Sequence, residues 1–168
     1  GSLALVNNTG LSSNYSISSV SARITQRPIN LSGSRTYDAT RTANGSDFSL
    51  ANLVTGETLN ISGNGILGSP AAGTQTVVNT NTLALVNGSG TASNYSLVGG
   101  TLTMTILPRS TSVTGSRSYD GTQTINPSDL TVFSNLAGSD TLSFTGSGTV
   151  VSANVGTNKN VSLGSLAL

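Results

Sequence analysis

The sequence contains no cysteine, no histidine and no tryptophan, and only seven basic and six acidic residues among 168. Without cysteine there can be no disulfide bond and no thiolate ligand, and without histidine the commonest general base and metal ligand is missing. These absences exclude Cys/His zinc centres and Ser-His-Asp triads. The net charge of +1 provides no basic face, so we expect no binding of nucleic acid.

Long apolar runs are missing as well. No stretch reaches the roughly 18 apolar residues of a membrane helix, and the first ten residues, GSLALVNNTG, have neither the charged nor the apolar region of a signal peptide. We therefore expect no membrane insertion and interpret the chain as a soluble segment of a longer protein.

Small polar residues and glycine dominate the amino-acid composition. Ser, Thr, Asn and Gly fill 89 of the 168 positions, and 35% of the residues are hydrophobic. The low charge is unlike that of most disordered segments. The composition therefore favours a folded chain with a thin core.

The whole chain consists of two copies of one unit. Residues 2–17 align without a gap with residues 82–97, residues 33–47 match residues 115–129, and 52–65 match 135–148. The final GSLAL also repeats the opening GSLAL. This self-similarity predicts a tandem array of units of about 80 residues.

Within each unit the apolar residues recur with a period of two. Leu102, Met104 and Ile106 alternate with threonines in TLTMTILP, and Leu59 and Ile61 alternate in ETLNISG. Such alternation is typical of half-buried strands, and the Asn-Gly pairs between them favour tight hairpin turns. No stretch has a sustained helical period, so the sequence predicts an all-β fold.

Prolines suggest where one domain ends and the next begins. Pro28 and Pro108 follow the last alternating strand of each copy, and proline cannot continue a central strand. We expect residues 29–108 to form one complete domain, with 1–28 the closing strands of a preceding repeat and 109–168 the opening strands of a following one. A unit of this size suits a small antiparallel, immunoglobulin-like β-sandwich in an elongated array. The alternative is a β-solenoid, although no subperiod of 20–30 residues is visible.

An ordered set of motifs occurs in both copies. Tyr37-Asp38-Ala39 and Tyr119-Asp120-Gly121 precede the segments GTQTVV and GTNKNV, and LALVNGSGTASNYSL follows. The set resembles the YDG-type repeats of bacterial surface and secreted proteins, found in filamentous-haemagglutinin-like adhesins. The first copy departs from the pattern at Ala39, and its AAGTQT lacks the lysine of GTNKNV. The resemblance implies a secreted or cell-surface location in bacteria and a role as stalk modules.

The residues that carry this motif are candidates for structural or binding roles: Tyr37, Asp38, Tyr119, Asp120, Asn14, Tyr15, Asn94 and Tyr95. We interpret the four tyrosines as core edges, with each ring buried and each hydroxyl directed at a backbone carbonyl. The two aspartates are expected to organise turns. The alternative is that exposed tyrosine rings stack on sugars.

The carboxylates are too widely spaced along the sequence to predict a metal site or a catalytic site. They are nine to eleven residues apart within each copy, at Asp38, Asp47 and Glu57 and at Asp120, Asp129 and Asp140. Calcium requires six to eight oxygen ligands, usually from clustered carboxylates, and glycosidases require two facing carboxyl groups. We expect no metal, no cofactor and no enzymatic activity.

The sequence thus predicts a structural repeat, a stalk, spacer or fibre-forming module of a large extracellular bacterial adhesin or matrix filament. The alternative is a glycan-binding adhesive module that uses surface tyrosines. Residues 109–168 lack counterparts of the NYSL and TLTMTI strands, whereas residues 1–28 contain them. Neighbouring repeats or copies of the chain are therefore expected to complete each other by strand complementation.

Overall fold

The computed structural model describes residues 3–168, apart from the Val132 side chain. Residues 1 and 2 of the predicted 1–28 segment lie outside the described residues. The described part is all-β, with 15 strands and four single-turn 3-10 helices, which confirms the predicted fold class. The 3-10 helices are Ser12–Asn14, Gly45–Asp47, Ala92–Asn94 and Pro127–Asp129.

The strands fall into two groups, which we call the first unit (β1–β10) and the second unit (β11–β15). The first unit contains β1 (Arg27–Pro28), β2 (Asn30–Thr36), β3 (Thr42–Asn44), β4 (Phe48–Ala51), β5 (Leu59–Ser62), β6 (Asn64–Leu67), β7 (Gly73–Asn79), β8 (Ala84–Asn87), β9 (Tyr95–Ser96) and β10 (Leu102–Leu107). The second unit contains β11 (Ser112–Thr114), β12 (Thr124–Ile125), β13 (Val132–Ser134), β14 (Gly148–Val150) and β15 (Val161–Ser162).

A curled six-stranded sheet is the main part of the first unit, in the order β3-β6-β7-β10-β2-β4, and β1 with β9 and β5 with β8 form two separate pairs. Strand β10 runs antiparallel to β7 on one side and parallel to β2 on the other, with Leu102 opposite Leu31 and Leu107 opposite Thr36. The predicted antiparallel pairing is wrong for β2 and β10, the first and last long strands of the unit, which pair in parallel, while the other pairs of this sheet are antiparallel. Tandem immunoglobulin-like sandwiches are not confirmed.

The core lies on one face of this sheet. The alternation in β10 buries Met104 and Ile106 completely, and they pack in one cluster with Ile29, Leu31 and Leu67. The antiparallel ribbon of β5 and β8 adds Leu59 to the same cluster, and Leu83, directly before β8, also belongs to it. The period of two in the sequence thus specifies which side chains of each strand face inward.

Gly33 is required in β2 because another segment crosses it closely. A Cβ at this position would lie 2.1 Å from the carbonyl oxygen of Asp47, at the end of the second 3-10 helix. The equivalent Gly115 has the same relation to Asp129, at 1.7 Å. Both copies therefore need glycine here for the same steric reason.

The second unit repeats only part of this architecture. β11 pairs with β13, and β14 pairs with β12 and β15, while an isolated bridge joins Thr145 to Ala167. Its buried apolar side chains, among the described residues, are Ile125, Ala137, Val150 and Leu166, against ten in the first unit. The second unit thus has a much smaller core.

Residues 3–26 contain no strand, and the 3-10 turn Ser12–Asn14 is the regular element described there. The large apolar side chains of this segment are exposed, including Val20 and Ile24. Among residues 3–168, no helix has the length and hydrophobicity that crossing a membrane requires.

Candidate functional site

The YDG-type motif of the first unit forms a tight turn around one carboxylate. Asp38 Oδ1 accepts hydrogen bonds from the backbone N–H of Thr40 at 2.9 Å and from its hydroxyl at 2.8 Å. The Arg35 guanidinium forms an ion pair with the same oxygen and donates to the Thr40 carbonyl. The predicted turn-organising role of the aspartate therefore describes what Asp38 does here.

The second copy repeats this turn contact for contact. Asp120 Oδ1 accepts bonds of 2.9 Å from the Thr122 N–H and hydroxyl, and Arg117 forms the ion pair. The Arg117 hydrogen bond and the two bonds from Thr122 lower the pKa of Asp120 to about 2. In the first copy, burial opposes the shift, but the bonds from Thr40 and Arg35 still lower the pKa of Asp38.

The third residue of the motif has a left-handed backbone conformation. The angle φ is 65° at Ala39 and 76° at Gly121. Glycine adopts this conformation without steric cost, whereas alanine places its Cβ too close to the following carbonyl. The glycine of the motif is therefore a backbone requirement, and Ala39 meets it with strain.

Tyr95 is buried at the base of the first unit, as expected for a core edge. Its hydroxyl donates to Glu57 Oε2 and accepts a bond of 3.1 Å from the Val54 N–H. The bond to Glu57 is the main cause that raises the pKa of Tyr95. The predicted partner, a backbone carbonyl, is therefore wrong, because a carboxylate takes that place.

Tyr37 joins the two units. Its hydroxyl donates to Asp140 Oδ2 at 2.9 Å, and its carbonyl accepts a bond of 3.3 Å from Arg109. The bond to Asp140 is the main cause that raises the pKa of Tyr37. Asp140 occupies the position equivalent to Glu57. The carboxylate of the first unit binds Tyr95 and that of the second unit binds Tyr37, and both tyrosines belong to the first unit.

The other two tyrosines lie at the surface. Tyr15, the counterpart of Tyr95, and Tyr119, the counterpart of Tyr37, are both mostly exposed. The core-edge prediction does not describe these two tyrosines in this structure, because about two thirds of each side chain is accessible to solvent.

Asn14 and Asn94 end equivalent 3-10 turns directly before Tyr15 and Tyr95. The backbone N–H of each asparagine bonds the carbonyl three residues earlier, at 3.1 Å for Asn14 and 3.0 Å for Asn94. The turn is therefore a local feature of the sequence that forms with or without the strands that follow it.

Sequence reasoning missed a repeated clamp between an arginine and an asparagine. Arg27 donates to the Asn52 carbonyl and to Asn52 Oδ1, at 2.7 and 2.8 Å. Arg109 makes the same pair of bonds to Asn135, both of 2.7 Å. Both asparagines have a positive φ, and their recurrence at matching positions was the available signal.

The remaining carboxylates take part in separate local contacts. Asp47 lies 3.4 Å from the Asn44 side chain, and Asp129 caps its own 3-10 turn through the Asn126 N–H. Within residues 3–168, no three Asp or Glu residues are grouped as metal ligands would be. The arrangement supports turns and strand contacts.

A comparison with protein-family models identifies the YDG domain twice, over residues 23–104 and 101–168. The two matches overlap in the first residues of β10, so this strand ends one match and begins the next. No curated protein and no solved structure matches the chain significantly. The turns around Asp38 and Asp120 and the two family matches lead to one conclusion: the chain belongs to the YDG domain family and carries two YDG domains in tandem.

Proposed function

We propose that this chain is a spacer that resists tension, a stalk or fibre-forming module of a large bacterial adhesin or matrix filament at the cell surface or outside the cell. The observation that supports the proposal is the parallel pairing of β2 with β10. Six residue pairs, from Leu31 with Leu102 to Thr36 with Leu107, join the first and last long strands of the unit.

Parallel pairing places the entry and the exit of the chain at opposite ends of the unit. β2 begins at the end where β10 also begins, and the chain leaves the unit where β10 ends. The chain continues into the next unit directly after Pro108, and we infer that successive units extend in a line. An elongated array of small two-layer modules, in which the β5–β8 ribbon covers the sheet, is the arrangement that we propose.

The same pairing determines how the unit responds to force. Tension applied at the two ends pulls β2 and β10 in opposite directions along their own axes. All six pairs are then loaded together, whereas force across the strands would open them one at a time. The unit therefore resists pulling along the array most strongly.

Composition also supports a secreted spacer. A chain without cysteine has no disulfide bonds to form early while it is exported unfolded. Tyr37 and Tyr95, two of the four tyrosines that a glycan-binding role would use as platforms, bind carboxylates through their hydroxyls. We therefore prefer the spacer role to glycan recognition.

Single-molecule force spectroscopy tests this proposal, because engineered cysteines provide unique handles in a cysteine-free chain. Handles at Thr25→Cys and Leu107→Cys pull β2 and β10 in shear. The control variant Thr36→Cys with Leu107→Cys, kept reduced until the handles are coupled, opens the same pairs from one end. We expect a several-fold higher unfolding force in the shear geometry, and equal, low forces in both would contradict the proposal.

A further inference from the structure

A groove in the second unit occupies the place that β10 fills in the first unit. It has a volume of about 490 Å³ and lies between residues 113–119 and residues 152–159 with Val161. These two segments are the counterparts of β2 and β7, between which β10 is inserted in the first unit. We call it the strand groove.

The floor of the strand groove is apolar. Ile125, Leu130 and Val150 line it, together with Val113 at its edge. Their counterparts in the first unit are Ala43, Phe48, Leu67 and Leu31, all of which are buried there in the cluster around Met104 and Ile106. The strand groove therefore has the lining of a core that lacks its central strand.

A second cavity, which we call the tyrosine pocket, occupies the place equivalent to that of Tyr95. It has a volume of about 370 Å³, and its lining includes Arg109, Ala137 and Asp140. The counterparts of these three residues are Arg27, Val54 and Glu57. Val54 and Glu57 hold the Tyr95 hydroxyl, and Arg27 is the strand neighbour of Tyr95.

The segment that fits both cavities is present in this chain at residues 6–25. Tyr15 corresponds to Tyr95, and the alternating Val20, Ala22 and Ile24 correspond to Leu102, Met104 and Ile106. Tyr15 aligns with Tyr95 at an offset of 80 residues, whereas the strand residues align at an offset of 82. The turn between them is two residues shorter in residues 6–25 than in the first unit. Ile24 is 98% exposed where Ile106 is 1% exposed, and Tyr15 is 69% exposed where Tyr95 is 3% exposed.

We propose that residues 6–25 of a second copy of this chain insert into the second unit, with Tyr15 in the tyrosine pocket and residues 20–25 in the strand groove. The inserted strand runs parallel to residues 113–118, as β10 runs parallel to β2. Its register places Ser21 opposite Thr114 and Arg23 opposite Ser116. Tyr15 donates to Asp140, whose two carboxylate oxygens can accept bonds from both Tyr15 and Tyr37.

The junction created by insertion matches the junction within the chain. Only Pro108 separates the end of β10 from Arg109, which Asn135 holds. In the same way, only Gln26 separates the inserted strand from Arg27, which Asn52 holds. Insertion therefore places one chain behind another in the arrangement that already joins the two units, and it produces open, head-to-tail chains.

The first experiment measures association of the whole chain by sedimentation velocity over a range of concentrations. We expect concentration-dependent, head-to-tail oligomers. Ile24→Asp places a charge in the apolar groove, and association becomes at least about 100-fold weaker. The control Thr25→Asp adds the same charge on the solvent-facing side and changes association by less than about five-fold. Both residues lie in the segment without strands, and thermal unfolding verifies that the first unit stays folded.

The second experiment tests the register with cysteine pairs. Chains carrying only Ser21→Cys are mixed with chains carrying only Thr114→Cys under mild oxidation. Neighbouring strands place opposite residues about 4.8 Å apart, within the range that a disulfide can span. We expect a disulfide between chains for this pair and little for Arg23→Cys with Thr114→Cys, which lies two residues out of register.

Two results would overturn the inference. One is a monomer at every concentration with no disulfide between residues 21 and 114. The other is a chain carrying both cysteines that forms this disulfide internally at high dilution, since the segment would then insert into its own second unit. Neither result bears on the force that unfolds the first unit, so failure here is distinguishable from failure of the spacer proposal.

Discussion

Asp38 and Asp120 show how much of each repeat depends on single residues. Each carboxylate joins an arginine three residues earlier to a threonine two residues later. The turn can form only if the residue between the aspartate and the threonine adopts a positive φ. The motif therefore combines one acceptor, one cation and one unusual backbone conformation.

Exchanging the third residue of the motif between the copies is expected to change stability in opposite directions. Ala39→Gly relieves a left-handed alanine and raises the free energy of unfolding by roughly 0.5–1 kcal/mol, after the greater freedom of glycine in the unfolded chain is subtracted. Gly121→Ala lowers it by a similar amount, because its Cβ has space but the backbone is strained. Urea unfolding measures both, and a loss of stability in Ala39→Gly would contradict this explanation.

The contribution of the Asp120 carboxylate to the free energy of unfolding is expected to be lost only at low pH. Its pKa is about 2 in the folded chain, against 3.8 for an ordinary aspartate. Because the folded value is the lower one, the contribution is complete above about pH 4 and is lost as the pH falls through about 2. The stability difference between the parent chain and Asp120→Asn should therefore shrink over this range in urea titrations, and a difference that persists below pH 2 would contradict the assignment.

At the scale of elements, β10 determines whether a unit is complete. It pairs with two strands and places Met104 and Ile106, both fully buried, at the centre of the first core. The alternation TLTMTIL was sufficient to predict a strand with these residues inward. Its parallel pairing with β2 was not predictable, because alternation has no information about which strands become neighbours.

Truncating the centre of β10 is expected to destabilise the first unit strongly. Met104→Ala removes a side chain with no exposed surface and leaves a cavity, which costs about 2–5 kcal/mol. Leu107→Ala, at the half-exposed end of the same strand, is the matched control and should cost about 1 kcal/mol or less. Chemical denaturation compares them, and equal effects would show that β10 is not the central strand.

At the scale of the molecule, the two copies have similar sequences but unequal cores. The first unit has a ten-residue buried cluster, whereas the described part of the second has four buried apolar residues. Stability should therefore differ between them, since the buried apolar area is the main favourable term in folding.

Hydrogen exchange is expected to reveal this difference. Amides in the first unit that lie in β2, β7 and β10 should exchange slowly, through global unfolding of the unit. Amides in β11–β15 should exchange faster at low protein concentration, where the proposed insertion of a second copy would be rare. Mass spectrometry of peptides from both units measures these exchange rates. Equal protection of the two units at high dilution would contradict the conclusion that the second core is the less stable one.

The sequence by itself determined the all-β class, the two copies, the inward side of strands β5 and β10 and the turns around Asp38 and Asp120. These features depend on local geometry, because side chains alternate along a strand and an aspartate reaches only its own turn. The tertiary structure decided that β2 and β10 pair in parallel, that Tyr95 binds Glu57 while Tyr37 binds Asp140, and that residues 3–26 stay outside both cores. Each of these features depends on which distant segments pack against each other. Residues 3–26 have the pattern of β9 and β10 but stay exposed, because they have no neighbouring strands like those that flank β10 in the first unit.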